Sequence, residues 1–227
     1  WHTLSLHDAL PIYLPNAVEG EVVMRLAPFP SGALHIGNTR MCVLNDEYVK
    51  RYNGKLLLVF DDTIGTTKAK MNSPKAKYVL PEAYDLIPEG LDWLGVKYHK
   101  TYYKSDRVHI YQEEAGKLID QGHAYVCTCP AKTFRFEYKR PGKECPCRNK
   151  DIPYHQEMYE KMQEGKIPEG GAVVRLKTGM DQKDPALRDH ILMRISDAPH
   201  PRIGTKYRLW PVLEWSWGLD DHLLGMT

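Results

Sequence analysis

No run of apolar residues in this 227-residue chain approaches the ~18–20 needed for a helix to span a bilayer, so no membrane partner is expected. No secretory leader is expected either. The stretch "TLSLHDALPI", Thr3 to Ile12, lacks both a cationic start and a long apolar centre. It resembles instead the translated frame of a common synthetic sequencing adapter, with a natural N-terminal helix the plain alternative, and residues 1–12 are set aside as an expected artefact. Strong charge of either sign is absent: the formal net charge is +2, so any nucleic-acid surface has to come from local clustering. Cysteine is scarce, with five residues, and a cytoplasmic chain of this kind is not expected to hold disulfides. Internal repeats and low-complexity tracts are absent too. What remains is globular, because 42% hydrophobic and 26% charged residues exclude a disordered chain. The length allows one good core, or one core plus an inserted subdomain.

The first informative stretch is "VVMRLAPFPSGALHIGNTR", Val22 to Arg40. Its start is apolar and β-branched enough for a buried strand, and "NTRMCVLNDEYVKRY" repeats apolar residues at helical spacing. Between them lies a Pro/Gly loop, with Asn38 placed to cap the helix. A helix N-terminus behind a strand presents N–H groups and a positive dipole end, which suits a phosphate. His35 and the nearby amides are candidate donors to phosphate oxygens, and Gly37 lets a flat base approach the backbone. A histidine satisfied locally in a loop is the plain alternative.

"GKLLLVFDDT", Gly54 to Thr63, reads as a second buried strand that ends in two carboxylates. One of Asp61 and Asp62 can hold an ammonium group. Arg25, charged in an otherwise apolar strand, can bind a carboxylate bidentately. Ligands of open α/β sheets bind at the carboxyl edge of the strands, so Arg25 and Asp61 side by side suit a zwitterionic amino acid. A Lys-rich connector, Ile64 to about Val79, follows. The next helix, "LPEAYDLIPEGLDWLGV", is expected to be kinked or divided by Pro88. "SDRVHIYQEEAGKLIDQG" is expected to be capped by Ser105 and ended by Gly122. Strand–helix alternation predicts a parallel sheet covered by helices.

The character changes at Ala124. Short strands ("AYVCTC", "AVVRLKT", "ILMRIS") surround a basic loop and one short helix, as in an insertion with its own core. Cys127, Cys129, Cys145 and Cys147 form two C-x-C pairs, a pattern that suits tetrahedral Zn²⁺, although four reduced thiols in a small core also fit. Cys42 reads as a core residue. Lys132, Arg135, Lys139, Arg140 and Lys143 lie between the pairs, with Arg148 and Lys150 beyond and Phe134, Phe136 and Tyr138 interleaved. Charge for phosphates and rings for bases suit an RNA end, and a solvated basic loop is the plain alternative.

These segments, with "ECPCR", "ILMRISDAPHPRIGTKYRLWP" and "DDHLLGMT", closely resemble archaeal-type glutamyl-tRNA synthetases, in the glutamyl/glutaminyl branch of class I. The resemblance covers Leu14 to Thr227. It implies an α/β fold: a Rossmann-like nucleotide-binding domain with an inserted, zinc-bearing subdomain that binds the tRNA acceptor stem. The corresponding divisions are 13–122 for the first Rossmann half, 123–205 for the insertion and 206–227 for the start of the second half. The implied reaction joins L-glutamate to ATP, with Mg²⁺, as glutamyl-adenylate and then to tRNA(Glu), with tRNA(Gln) a further acceptor. Pro30, Ser31, Gly32, His35, Gly37 and Asn38 fall on the ATP signature, with His35, Gly37 and Asn38 catalytic. Arg25, Ala27 and Asp61 fall on amino-acid binding, and the four paired cysteines on structural Zn²⁺. Departures are Asn38 where the signature usually ends in histidine, Phe29 for a small or polar residue, and Ile64–Gly65 after "DDT". The second, lysine-bearing ATP signature and the anticodon-binding domains are not in the chain, which reads as about half an enzyme and inactive alone. A glutaminyl enzyme and a tRNA-modifying relative share the scaffold. A small-molecule nucleotidyltransferase and a non-enzymatic zinc/RNA module are the readings from other classes.

Overall fold

In the computed structural model, residues 13–63 and 78–227 are described. The adapter-like residues 1–12, most of the Lys-rich connector and the Ile64–Gly65 departure lie outside the described residues. Among those described, 13–62, 78–106 and 220–227 form one compact unit, while 63 and 107–219 form a second.

The first unit is built on three parallel strands in the order β1 (Val23–Leu26), β2 (Lys55–Phe60) and β3 (Lys100–Tyr103). Between them run α1 (Ile36–Arg51) and α2 (Ala83–Trp93). Five consecutive residues of β2, Leu56 to Phe60, are buried, as a central parallel strand covered on both faces requires. Leu26, Val49, Leu58, Phe60, Ile87 and Leu91 form its core. This is the Rossmann-like sheet expected from the sequence. Pro88 does not divide α2, which runs unbroken from Ala83 to Trp93. Ala83, Ile87 and Leu91 are buried on both sides of the proline and hold the helix together across it. Strand β3 was not foreseen: "KTYY" is too short for its period to show.

The second unit holds an antiparallel sheet of β4 (Ala124–Cys127), β5 (Val173–Leu176), β6 (Ile191–Ile195) and β7 (Leu209–Pro211), in chain order. Helices α3 (Val108–Asp120) and α5 (Ile152–Gln163) pack on it through Tyr111, Ala115, Ile119, Tyr159 and Met162. A short α4 (Ala131–Thr133) runs into a π-turn, Phe134–Lys139. The last helix, α6 (Leu213–Leu223), follows β7 directly. Gly122 ends α3 with a φ of 72°, as expected. Ser105 does not cap it. A 3₁₀ turn, Lys104–Arg107, leads into α3, whose cap position is Arg107 with no side-chain bond.

Candidate functional site

The loop after β1 turns on Gly32, whose φ of 151° favours glycine. It is pinned to the sheet by backbone bonds: the Asp61 amide donates to the Pro28 carbonyl at 3.0 Å and Leu80 donates to Pro30 at 2.8 Å. Helix α1 is capped by His35 rather than by Asn38. His35 Nδ1 accepts from the Gly37 amide at 3.0 Å, and the Asn38 side chain, one turn in, accepts from the His35 amide at 3.2 Å. Each side chain thus satisfies an amide that the helix start leaves open. With Nδ1 an acceptor, Nε2 carries the ring proton of the neutral histidine. His35 and Ser31 are exposed. A β-carbon on Gly37 would lie 2.7 Å from His35 Cε1, so this glycine makes room for the histidine ring.

Beneath the loop, Arg25, Ala27, Leu34, Gly37, Asn38 and Met41 line a cavity of about 250 Å³. That is just below the ~300–1,000 Å³ of whole small-ligand pockets. Cys42 also lines it and is otherwise buried in α1, with its thiol pushed up by burial.

The two carboxylates after β2 have different work. Asp62 is fully buried and accepts from the Ser105 amide and hydroxyl at 2.8 and 2.7 Å and from the Tyr84 hydroxyl at 2.8 Å. It ties β2 to β3 and α2, and it takes the serine that sequence spacing assigned to a helix cap. Asp61 instead pairs with Lys104 Nζ at 3.0 Å, and that lysine is fully buried. Burial pushes the Asp61 carboxyl up, against the pull of Lys104. Burial likewise brings Lys104 down to about 8, against the pull of Asp61 and Asp220. Arg25, expected to bind an amino-acid carboxylate, is held bidentately by the chain's own Asp221: Nε–Oδ1 is 2.5 Å and Nη2–Oδ2 is 2.9 Å. Lys104, Asp220 and Asp221 were not singled out as functional from the sequence. The available signal was the doubled aspartate in "LDDHLLG", which mirrors "FDDT".

In the second unit, Cys127, Cys129, Cys145 and Cys147 converge, with all four sulfurs within 4.8 Å of one another. Sγ of Cys127 and Cys145 are 3.9 Å apart, and those of Cys129 and Cys147 are 3.7 Å apart. A tetrahedral ZnS₄ site with bonds of about 2.3 Å has sulfurs about 3.8 Å apart, so the residues fit zinc. All four thiols are free. Hydrogen bonds from Cys127 and Cys145 pull the Cys147 thiol down, and contacts with Cys145 and Cys147 push Cys127 up. Outside the sulfurs, the Tyr125 hydroxyl lies 3.7 Å from Cys145 Sγ and donates to buried Asp189 at 2.8 Å, which Arg148 also grips at 2.8 Å.

The interleaved rings differ in role. Phe134 is buried among the cysteines with Arg175 stacked on its face, the guanidinium carbon 3.4 Å from the centroid. Phe136 is 53% exposed, between Arg135 and Arg140. Only this ring of the pair is available to a base. Arg135, Lys139, Arg140, Arg175 and His190 line a second cavity, of about 590 Å³. No helix among the described residues is long and apolar enough to cross a membrane.

Comparison with known proteins gives the family. The model of the catalytic domain of class I tRNA synthetases (E and Q) matches residues 21–227. A glutamate–tRNA ligase of Methanothermobacter marburgensis is 48% identical over 94% of this chain and 36% of its own length. Those of Pyrococcus horikoshii (46% identical, 96% of this chain) and Methanocaldococcus jannaschii (48%, 94%) are also covered over 36%. The chain thus spans about a third of the curated relatives it matches, less than the half expected. A crystal structure of a glutamate tRNA ligase from Elizabethkingia meningosepticum, in complex with its amino acid, shares the fold. Its TM-score is 0.60 at 22% identity, over 91% of this chain and 43% of that one.

Proposed function

The chain belongs to the class I tRNA synthetase family for glutamate and glutamine, through its catalytic domain, and from that membership we propose that it is the ATP-binding part of a glutamate–tRNA ligase. The carrying observation is the high identity to glutamate ligases along nearly the whole chain. On this reading glutamate attacks the α-phosphorus of Mg·ATP, pyrophosphate leaves, and the tRNA(Glu) 3′ end takes the glutamyl group from the adenylate. tRNA(Gln) is a second acceptor on the same reading.

The residues take these roles. His35 Nε2–H faces the phosphates, with Pro30, Ser31 and Gly32 shaping the loop and Gly37 and Asn38 holding His35 in place. Donors fixed before the reaction stabilise charge that develops on the equatorial phosphate oxygens. Arg25, with Ala27 beside it, exchanges Asp221 for a carboxylate of the amino acid, and Asp61 receives its ammonium group. Cys127, Cys129, Cys145 and Cys147 hold a structural Zn²⁺ that staples the loop carrying Phe136 and the exposed arginines, which face the tRNA acceptor end. The module limits expected from the sequence, 13–122, 123–205 and 206–227, belong to this reading, as does a cytoplasmic location.

The test is glutamate-dependent exchange of labelled pyrophosphate into ATP, then charging of tRNA with glutamate and glutamine supplied separately, by the full-length protein. Glutamate is expected to give the larger kcat/KM, and His35→Ala to lower the rate of adenylate formation. A larger value for glutamine assigns the chain to the other branch, and no exchange with either amino acid overturns the reading.

A further inference from the structure

The sheet register puts a lysine where an amino-acid ligand is expected to place its own ammonium. Phe60 of β2 pairs with Tyr103 of β3, so Asp61 and Lys104 leave the carboxyl edge of the sheet as neighbours. Lys104 Nζ lies 3.0 Å from Asp61 Oδ1 and is sealed from solvent. Two ammonium groups on one buried carboxylate repel each other, so they compete for it. We propose that Lys104 is a resident competitor for the amino-acid ammonium, holding Asp61 in the ligand-free chain and releasing it to the amino acid when Lys104 gives up its proton. This inference rests on the reading that Asp61 receives the ammonium group.

The charges around Lys104 support release by proton loss. Asp61 at the end of β2 and Asp220 on α6 favour the charged form, while Arg25 on β1 opposes it. Asp62 is already engaged by Ser105 and Tyr84. Asp221 is engaged by Arg25. Burial outweighs the two aspartates and sets Lys104 at about 8. At pH 7 roughly a tenth of the molecules then carry neutral Lys104. The apparent dissociation constant is the intrinsic one divided by the fraction of molecules competent to bind. Amino-acid affinity therefore rises about tenfold per pH unit up to about pH 8 and then levels off.

The experiment is calorimetric titration of the full chain with L-glutamate between pH 6 and 8.5, on wild type, Lys104→Met, Lys104→Arg and Asp61→Asn, each checked for folding by circular dichroism. Wild type is expected to show the tenfold-per-unit rise. Lys104→Met is expected to bind about tenfold more tightly than wild type at pH 7, with a flat profile. Lys104→Arg, which keeps its proton throughout, is expected to bind weakly at every pH. Weaker or equal binding by Lys104→Met, with Asp61→Asn still losing the ligand, overturns the role of Lys104 and leaves the Asp61 reading standing. Asp61→Asn equal to wild type, including no binding by either, overturns the underlying reading. If Lys104→Met does not fold, the wild-type profile decides, and a flat one overturns the proposal.

Discussion

The two compact units both bury a matched ion pair, and they differ in the charge they leave exposed. In the parallel unit both cations at the sheet edge are matched, Lys104 by Asp61 in the interior and half-buried Arg25 by Asp221. In the antiparallel unit buried Asp189 is matched by Arg148 beside the thiols, while Lys132, Arg135, Arg140, Lys143 and Lys150 stand exposed around them. A matched set of pairs suits a small zwitterion, which brings one charge of each sign and leaves the total unchanged. An unmatched exposed set suits a polyanion, whose affinity comes from counterion release. The difference teaches that one edge is set to discriminate and the other to attract.

The largest effect expected is from removing the metal. Structural zinc in small domains contributes about 10–16 kcal/mol of apparent binding energy, which is also folding energy. One zinc per chain is expected by elemental analysis, and Cys145→Ser should lose it and unfold the antiparallel unit while the parallel sheet keeps its circular dichroism. Loss of both units together would break the comparison, because the two would then fold as one. Absence of stoichiometric metal from carefully prepared protein would refute the zinc assignment itself.

A smaller effect belongs to the parallel unit. Asp62→Ala strands the Ser105 amide, the Ser105 hydroxyl and the Tyr84 hydroxyl, which Asp62 now accepts from. Buried donors left without partners cost about 1–3 kcal/mol each, so a loss of at least about 2 kcal/mol is expected in urea unfolding. Asp62→Asn, which keeps one acceptor oxygen, should lose less. Equal losses would show that the carboxylate matters for its charge rather than for its bonds.

The smallest effect sharpens the antiparallel side. Arg140→Ala should reduce the salt slope of RNA binding by about one phosphate contact, ~0.7–0.9 in log–log terms, with no change in thermal stability. Filter binding to a tRNA acceptor-stem hairpin at several salt concentrations measures it. An unchanged slope would leave Arg140 out of the RNA-facing set.

The legible parts of the fold were those written in local pattern. β1, the Pro/Gly loop, α1 and β2 follow from apolar runs and turn residues, and the four thiols follow from two short spacings. Relations made only by tertiary pairing were not legible. Strand β3 is four residues long, and missing it hid the register that sets Lys104 beside Asp61. Ser105 has the spacing of a cap, yet a buried carboxylate 43 positions away claims both its donors. Phe134 and Phe136 look equivalent in sequence, and only packing against Cys145 and Arg175 buries the first. The helix cap moved for a related reason: His35 and Asn38 share the cap reciprocally, and either taken alone looks like the capping residue.

The ring of His35 occupies the space that any side chain at position 37 would need. The two positions are therefore coupled in inheritance. Alanine at 37 displaces the imidazole and frees the amide it covered, so it costs about one helix cap, ~1 kcal/mol, while histidine stands at 35, and less once the ring is gone. A double substitution should consequently harm the chain less than the sum of its parts. Drift through either single change is the steeper path, and a histidine and a glycine two residues apart behave as one letter of the sequence.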